Sequence, residues 1–398
     1  MMYMNKFIFF VLLLSAAGCQ VEQASDTWET DLYPDSNNIP RSVISLPSGD
    51  GYLVLGQKFT EIDSIQHASA LVKLSQDGKV LKETFFGGDR ARLVNISSDG
   101  TNRIVLAGVD DGKLWIRRVD EDLNVVSDTV FSELEAQDLY YPKVLFDGND
   151  LIVLLNAPLR LIRMTDDYRV VWNKMIRNEF CNDGTSGSYI MFHDAFLDGK
   201  GNIVVTGEGH PFQEHDEENY NYDAFFAQLD VVTGKQKWFR AYGNGEGYVV
   251  SRAIVAMNDK YYATGMARNN DGGPTDYFDV YVYCLANNGE LLWAKSFGGS
   301  DTEWGNDLEV FEDRLKIVGY TRSSDGVMSG NNGNADFYVA SMNAAGEDLE
   351  VKVFGSIQND ELNTIENIGG GHALLLGNSN LKTSEYGNAW KIIKVKDH

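Results

Sequence analysis

The densest run of side chains able to hold a metal or move a proton is Glu208-Gly-His-Pro-Phe-Gln-Glu-His-Asp-Glu-Glu218. His210, Glu214, His215 and Asp216 are the residue types a divalent cation takes, but their spacing fits no zinc pattern, and a solvated acidic loop accounts for them more simply. A second chemistry is that of paired carboxylates. Asp89, Glu246, Asp301 and Asp360 recur at matching places along the chain. Two of them, such as Asp301 and Asp360, would cleave a glycoside if the fold set them roughly 5–10 Å apart. His193-Asp194 reads as a dyad or as hydrogen-bonded packing, and Tyr189, Arg252 and Trp304 are further pocket candidates. No G-x-S-x-G nucleophile elbow occurs. Asp271-Gly-Gly and Asp325-Gly supply oxygen ligands of the kind calcium prefers, or simply turns. No cofactor is required, and calcium is the one left open.

The elements that must position these residues are repeated. Val280–Asp301 and Phe337–Ser356 are two copies of one pattern of strand, turn, strand and Phe-Gly. A β-rich stretch ends in Gly56, Gly108, Asn156, Gly207, Gly265, Gly319 and Gly377, at intervals of 48 to 58 residues. Seven such markers, with alternating or β-branched segments between Gly, Asn and Asp, point to seven units of four strands. In the sixth unit the strands are expected at 303–311 (a), 313–321 (b), 335–343 (c) and 347–354 (d). Asp77-Gly78 and Asn288-Gly289 fall where tight c–d turns need positive φ. Helix should be scarce. The expected fold is all-β: a single seven-bladed β-propeller of four antiparallel strands per blade over 28–398.

The seventh unit stops after strand c, at Ala389–Val395, while Asp26–Leu32 reads as an orphan strand d. Joining the two would close the ring and leave no open sheet edge. In a propeller the d–a connections and b–c loops emerge on one face. The long b–c insertions at 208–222, 267–277 and 321–335, together with Asp89, Glu246, Asp301, Trp304 and Asp360, would therefore gather at one mouth of the channel.

The net charge of −24 disfavours nucleic acid and anionic membrane as partners of the folded body. Residues 1–18 read as a signal peptide, with Lys6, the apolar run Phe7–Leu14 and the small residues Ser15-Ala-Ala-Gly18. That run is short of the about 20 residues of a membrane span. Cys181 and Cys284 fall in non-adjacent blades, so free or buried thiols are expected.

Ala16-Ala-Gly-Cys19 resembles the bacterial lipobox, with Ala16 where leucine is usual. That resemblance implies cleavage before Cys19, lipidation of its thiol, and a polar tether over 19–27. The repeat itself is similar to that of seven-bladed β-propeller-repeat (SBBP-type) lipoproteins of Bacteroidetes. The matching residues are Phe297-Gly-Gly-Ser-Asp301, Val318-Gly-Tyr-Thr321, Ser323–Gly333 and Asp336-Phe-Tyr-Val339. The resemblance covers 240–395 well and 28–180 less, and blade 3 departs most. It implies a lipid anchor in the bacterial cell envelope, on the periplasmic or surface side of the outer membrane. It offers no catalytic residues to carry over, and the partners expected of such a chain are an envelope protein or a glycan. Asp230-Val-Val-Thr-Gly-Lys-Gln-Lys-Trp238 resembles the blade motif of quinoprotein propellers, which implies that Trp238, with Trp172 and Trp293, docks on the neighbouring blade. Three functions stay open: a non-catalytic binding or scaffold propeller, a glycan-active enzyme, and a calcium- or cofactor-binding propeller.

Overall fold

Alternate residues of a strand point to opposite faces of its sheet, and here both faces are buried: in blade 1 Val54 and Val72 pack on blade 7, and Leu53, Leu55 and Leu71 on blade 2. The computed structural model describes residues 27–396 except 35–37, 60–66, 89, 137–141, 157–158, 177–188, 211–221, 244–246, 270–276 and 381–387. These form seven four-stranded antiparallel sheets, the blades of a β-propeller. Blade 6 runs Glu303–Phe311 (a), Arg314–Thr321 (b), Asp336–Asn343 (c) and Glu350–Phe354 (d), within a few residues of the expected limits. Helix among the described residues is confined to the 3-10 turn Gly326–Met328.

The ring closes as the chain ends suggested. Trp28–Leu32 pairs antiparallel with Asn388–Lys396 and supplies strand d of blade 7, with Trp28 opposite Lys394 and Leu32 opposite Trp390. The core lies between neighbouring blades. One buried cluster joins Leu32, Leu374 and Trp390 of blade 7 to Val43, Val54 and Val72 of blade 1. Another joins Ile152 and Trp172 of blade 3 to Phe225 and Phe239 of blade 4.

The strand-d tryptophans lock this stacking. Trp28, Trp172, Trp238 and Trp293 lie on the c–d turn of the next blade, against Gly78, Gly234, Gly289 and Gly346. Each of those glycines has positive φ, and any Cβ there would meet the indole within 3 Å. Three of the tryptophan N–H groups donate to the same turns, Trp28 to the Gln76 carbonyl (2.7 Å), Trp172 to that of Val232 (3.0 Å) and Trp238 to that of Asn287 (3.1 Å). Cys284 is a free thiol buried in strand c of blade 5; Cys181 lies outside the described residues.

Candidate functional site

The inner strands are irregular in a regular way. Six of them carry a register shift of one residue against strand b, leaving Arg41, Val94, His193, Arg252, Asn306 and Asn363 as the extra residues. A bulge re-aims a side chain and breaks the ladder locally. All six extra residues line one cavity of about 510 Å³, to which blade 3 adds Pro142 and Lys143. Every blade contributes, so the cavity is the central channel.

The repeated glycine of strand b is the counterpart of the bulge. A Cβ on Gly319 would sit 1.7 Å from the Trp304 carbonyl oxygen, on Gly108 1.8 Å from that of Arg92, and on Gly265 1.9 Å from that of Val250. The φ of these residues is ordinary, so space rather than conformation requires glycine. Blade 3 has Asn156 at this point of the sequence repeat, and the described pairing of its inner strand with strand b runs from Lys143, opposite Leu154, to Asp147, opposite Asp150. The Asn156 amide reaches into blade 4, accepting from Phe192 N–H (2.9 Å) and donating to its carbonyl (3.0 Å).

Just past the bulge, side chains tie each inner strand to a neighbour. Asn95 accepts from Val144 N–H, Asp194 from Ile254 N–H and Asp307 from Ile365 N–H. Lys143 is ion-paired with Asp194. Burial opposes its charge, but Asp194, Asp307 and Glu366 more than offset that and raise its pKa. One ammonium cannot neutralise this many acids. Burial, with Asp194 nearby, lifts Asp307 to about 7. Burial, with Glu309 and Asp307, lifts Glu366 to about 8. This part of the channel therefore holds protons at neutral pH.

Toward the face where the inner strands begin, the lining turns aromatic. The Arg252 guanidinium lies 4.5 Å over the Trp304 ring, which packs at 5.5 Å against Tyr320. Tyr248 stands 4.7 Å from Tyr222 and 5.7 Å from Phe278. Burial, then Glu208, pushes the Tyr248 hydroxyl up to about 12. Burial raises Glu361 above the usual carboxylate range although Arg322 and Arg252 pull it back. His193 Nε2 sits 3.7 Å from Glu208 Oε2, and burial, with Arg252 nearby, keeps the imidazole neutral to lower pH than usual. Arg252 Nε, His193 Nε2 and Trp304 Nε1 are shielded from solvent and without a protein hydrogen-bond partner. Polar atoms so placed are ready for a ligand or water.

No family model matches the sequence, and no curated protein matches it. Solved propellers do match in shape. The β-propeller domain of the Trilobed protease from Pyrococcus furiosus is 11% identical over 90% of this chain and 97% of that one, with a TM-score of 0.50. The Dos1 propeller is 10% identical over 94% and 97%, at 0.52. Drosophila Semaphorin 2a is 9% identical over 93% and 75%, at 0.51. The likeness is one of fold.

Of the residues singled out from sequence, Trp304 and Arg252 meet at the mouth and His193 lines the channel below. Asp301 is exposed, its carboxylate accepting from Thr302 N–H at 2.7 Å. Asp360 is not offered to the mouth. It is 1% exposed in the seam between blades 6 and 7, accepting from Ser356 N–H (2.5 Å) and from the Ser379 hydroxyl (2.5 Å). Asp325 ties the b–c loop of blade 6 to the connection that enters the blade, accepting from Ser300 N–H at 2.8 Å. His210 ends strand b of blade 4. Asp89, Glu246, Glu214, His215, Asp216 and Asp271 lie outside the described residues, as do residues 1–26 with Cys19. Among the described residues no three His, Cys, Asp or Glu side chains gather as a metal site. The sequence reading missed Lys143, Asp307, Glu366 and the bulged asparagines. The strand-b glycine was the available signal, since it marks where the inner strand must bulge.

Proposed function

We propose that this chain is a lipid-anchored envelope propeller of the SBBP-type repeat kind that binds its ligand without transforming it. The ligand seat is the aromatic mouth of the channel, and the ligand favoured is a glycan. The observation that carries the reading is the pair Arg252–Trp304. A guanidinium held on an indole face, with Tyr248 and Tyr320 close by, presents stacking surface and directional donors together. Asn306, Asn363 and Asn378 continue that lining into the cavity. Amides and aromatic faces match the hydroxyls and C–H faces of a sugar better than they match a polyanion. The binding reading is preferred over a glycosidase because the Asp360 carboxylate is occupied by Ser379 and Ser356.

The test is titration of envelope oligosaccharides into the full chain and into Arg252→Ala. Binding at least tenfold weaker in the variant, about 1.4 kcal/mol, with melting little changed, is expected. Equal affinity in the two proteins would remove the mouth from the proposal. For the anchor, Cys19→Ala should abolish metabolic lipid labelling and release soluble protein. Unchanged labelling would show that Cys19 carries no lipid.

A further inference from the structure

We propose that the seam between blades 6 and 7 holds a calcium ion between Asp336 and Asp360. The proposal is argued from other side chains than the Arg252–Trp304 pair and is independent of what that mouth binds. Asp336 opens strand c of blade 6 and is 0% exposed; Asp360 opens strand a of blade 7 and is 1% exposed. Asp336 Oδ2 accepts from Asn332 N–H at 2.7 Å, but Oδ1 is buried with no hydrogen-bond partner. A buried carboxylate oxygen without a partner is costly, and such an atom calls for a proton, a water or a cation.

The surroundings of that oxygen favour a cation. A Cβ placed on Gly333 would lie 3.0 Å from Asp336 Oδ1, 2.4 Å from the Gln358 carbonyl and 2.6 Å from that of Ser356. A Cβ on Gly355 would lie 2.5 Å from Asp336 Oδ1 and 2.9 Å from Asp360 Oδ2. Two carboxylate and two carbonyl oxygens thus face the space beside two bare α-carbons. The Gln358 carbonyl also accepts from Asn334 N–H (3.3 Å), and Asp360 Oδ2 from Ser356 N–H, which leaves each a further lone pair. Burial, then the charge of Asp360, raises the Asp336 pKa, the response of a carboxylate short of a counter-charge.

All-oxygen donors of mixed carbonyl and carboxylate type select calcium over zinc, and their irregular arrangement selects it over magnesium. The two loops are already held together. Asp360 N–H donates to the Ala335 carbonyl at 2.8 Å, and Ala335 and Asn359 form a parallel bridge. An ion here would clamp the long b–c loop of blade 6 to the blade that closes the ring.

The experiment uses the full chain in detergent, titrated calorimetrically with calcium chloride after EDTA treatment, with magnesium chloride as control. One calcium per chain and a higher melting temperature with calcium than with EDTA are expected, because a ligand of the folded state stabilises it. Asp336→Asn should bind at least tenfold more weakly while melting normally in EDTA. A wild-type chain that takes up no calcium overturns the proposal, and so does calcium binding that Asp336→Asn leaves intact. Should that variant fail to fold, a terbium-soaked wild-type crystal decides. An anomalous peak between Asp336 and Asp360 supports the site, and its absence there overturns it.

Discussion

In blade 6 the inner strand bulges at Asn306, and Gly319 lies bare beneath the Trp304 carbonyl. In blade 3 the described pairing of the inner strand begins at Lys143, opposite Leu154, and Asn156 at the end of strand b has its amide bonded to Phe192 of blade 4. Both solutions hold an inner strand at the channel wall. The first does so by close backbone approach, which tolerates no side chain on strand b. The second does so by a side-chain bridge to the next blade, which needs one. The departure of blade 3 from the repeat therefore ties its strand b to the inner strand of blade 4, and it comes with the channel's lysine.

The largest effect expected from this contrast is at Gly319. Gly319→Ala drives a methyl group into backbone that has no rotamer to escape to, so a loss of about 3 kcal/mol is expected, the upper end for overpacking. In blade 3, Asn156→Ala should cost about 2 kcal/mol, because it leaves the buried Phe192 N–H and carbonyl without their partners. Denaturant midpoints of the two variants measure both. A Gly319→Ala protein as stable as wild type would mean that the bulge is not what demands glycine.

A smaller effect sharpens the charge side of the comparison. Lys143 of blade 3 faces Asp194, Asp307, Glu309 and Glu366 from blades 4, 6 and 7. Asp307 and Glu366 have folded pKa values of about 7 and about 8, above their unfolded values. The folded chain therefore binds more protons than the unfolded chain between about pH 4 and pH 8. The stability these two acids contribute is complete below about pH 4 and is lost as pH rises through 7 and 8. Glu366→Gln removes one of them. It should raise the melting temperature by about 2 °C at pH 8.5, some 1 kcal/mol at this chain length, with little change at pH 4. A shift of equal size at both pH values would mean that Glu366 acts through packing and not through its charge.

The sequence by itself determined the number of blades, the four strands of each and the closing role of Trp28–Leu32. Those features rest on local backbone demands that recur: positive φ at Gly78 and Gly289, short β-rich runs between turn residues, and a bare α-carbon at six of the seven strand-b markers. Repetition averages out the uncertainty of any one segment. It also pointed to Trp304 and Arg252, which do meet at the mouth. What only the tertiary structure decided is the channel and the seam. The channel-lining residues Arg41, Val94, His193, Arg252, Asn306 and Asn363 share a position but not one chemistry, so the repeated glycine marks where they bulge and not what they do. Asp360 read as a loop carboxylate and became a buried seam residue, because whether an acid at a strand start meets water or a neighbouring Asp336 depends on how two blades stack. Local backbone rules travel with the sequence. The proximity of side chains dozens of residues apart is set by closing a ring of seven sheets.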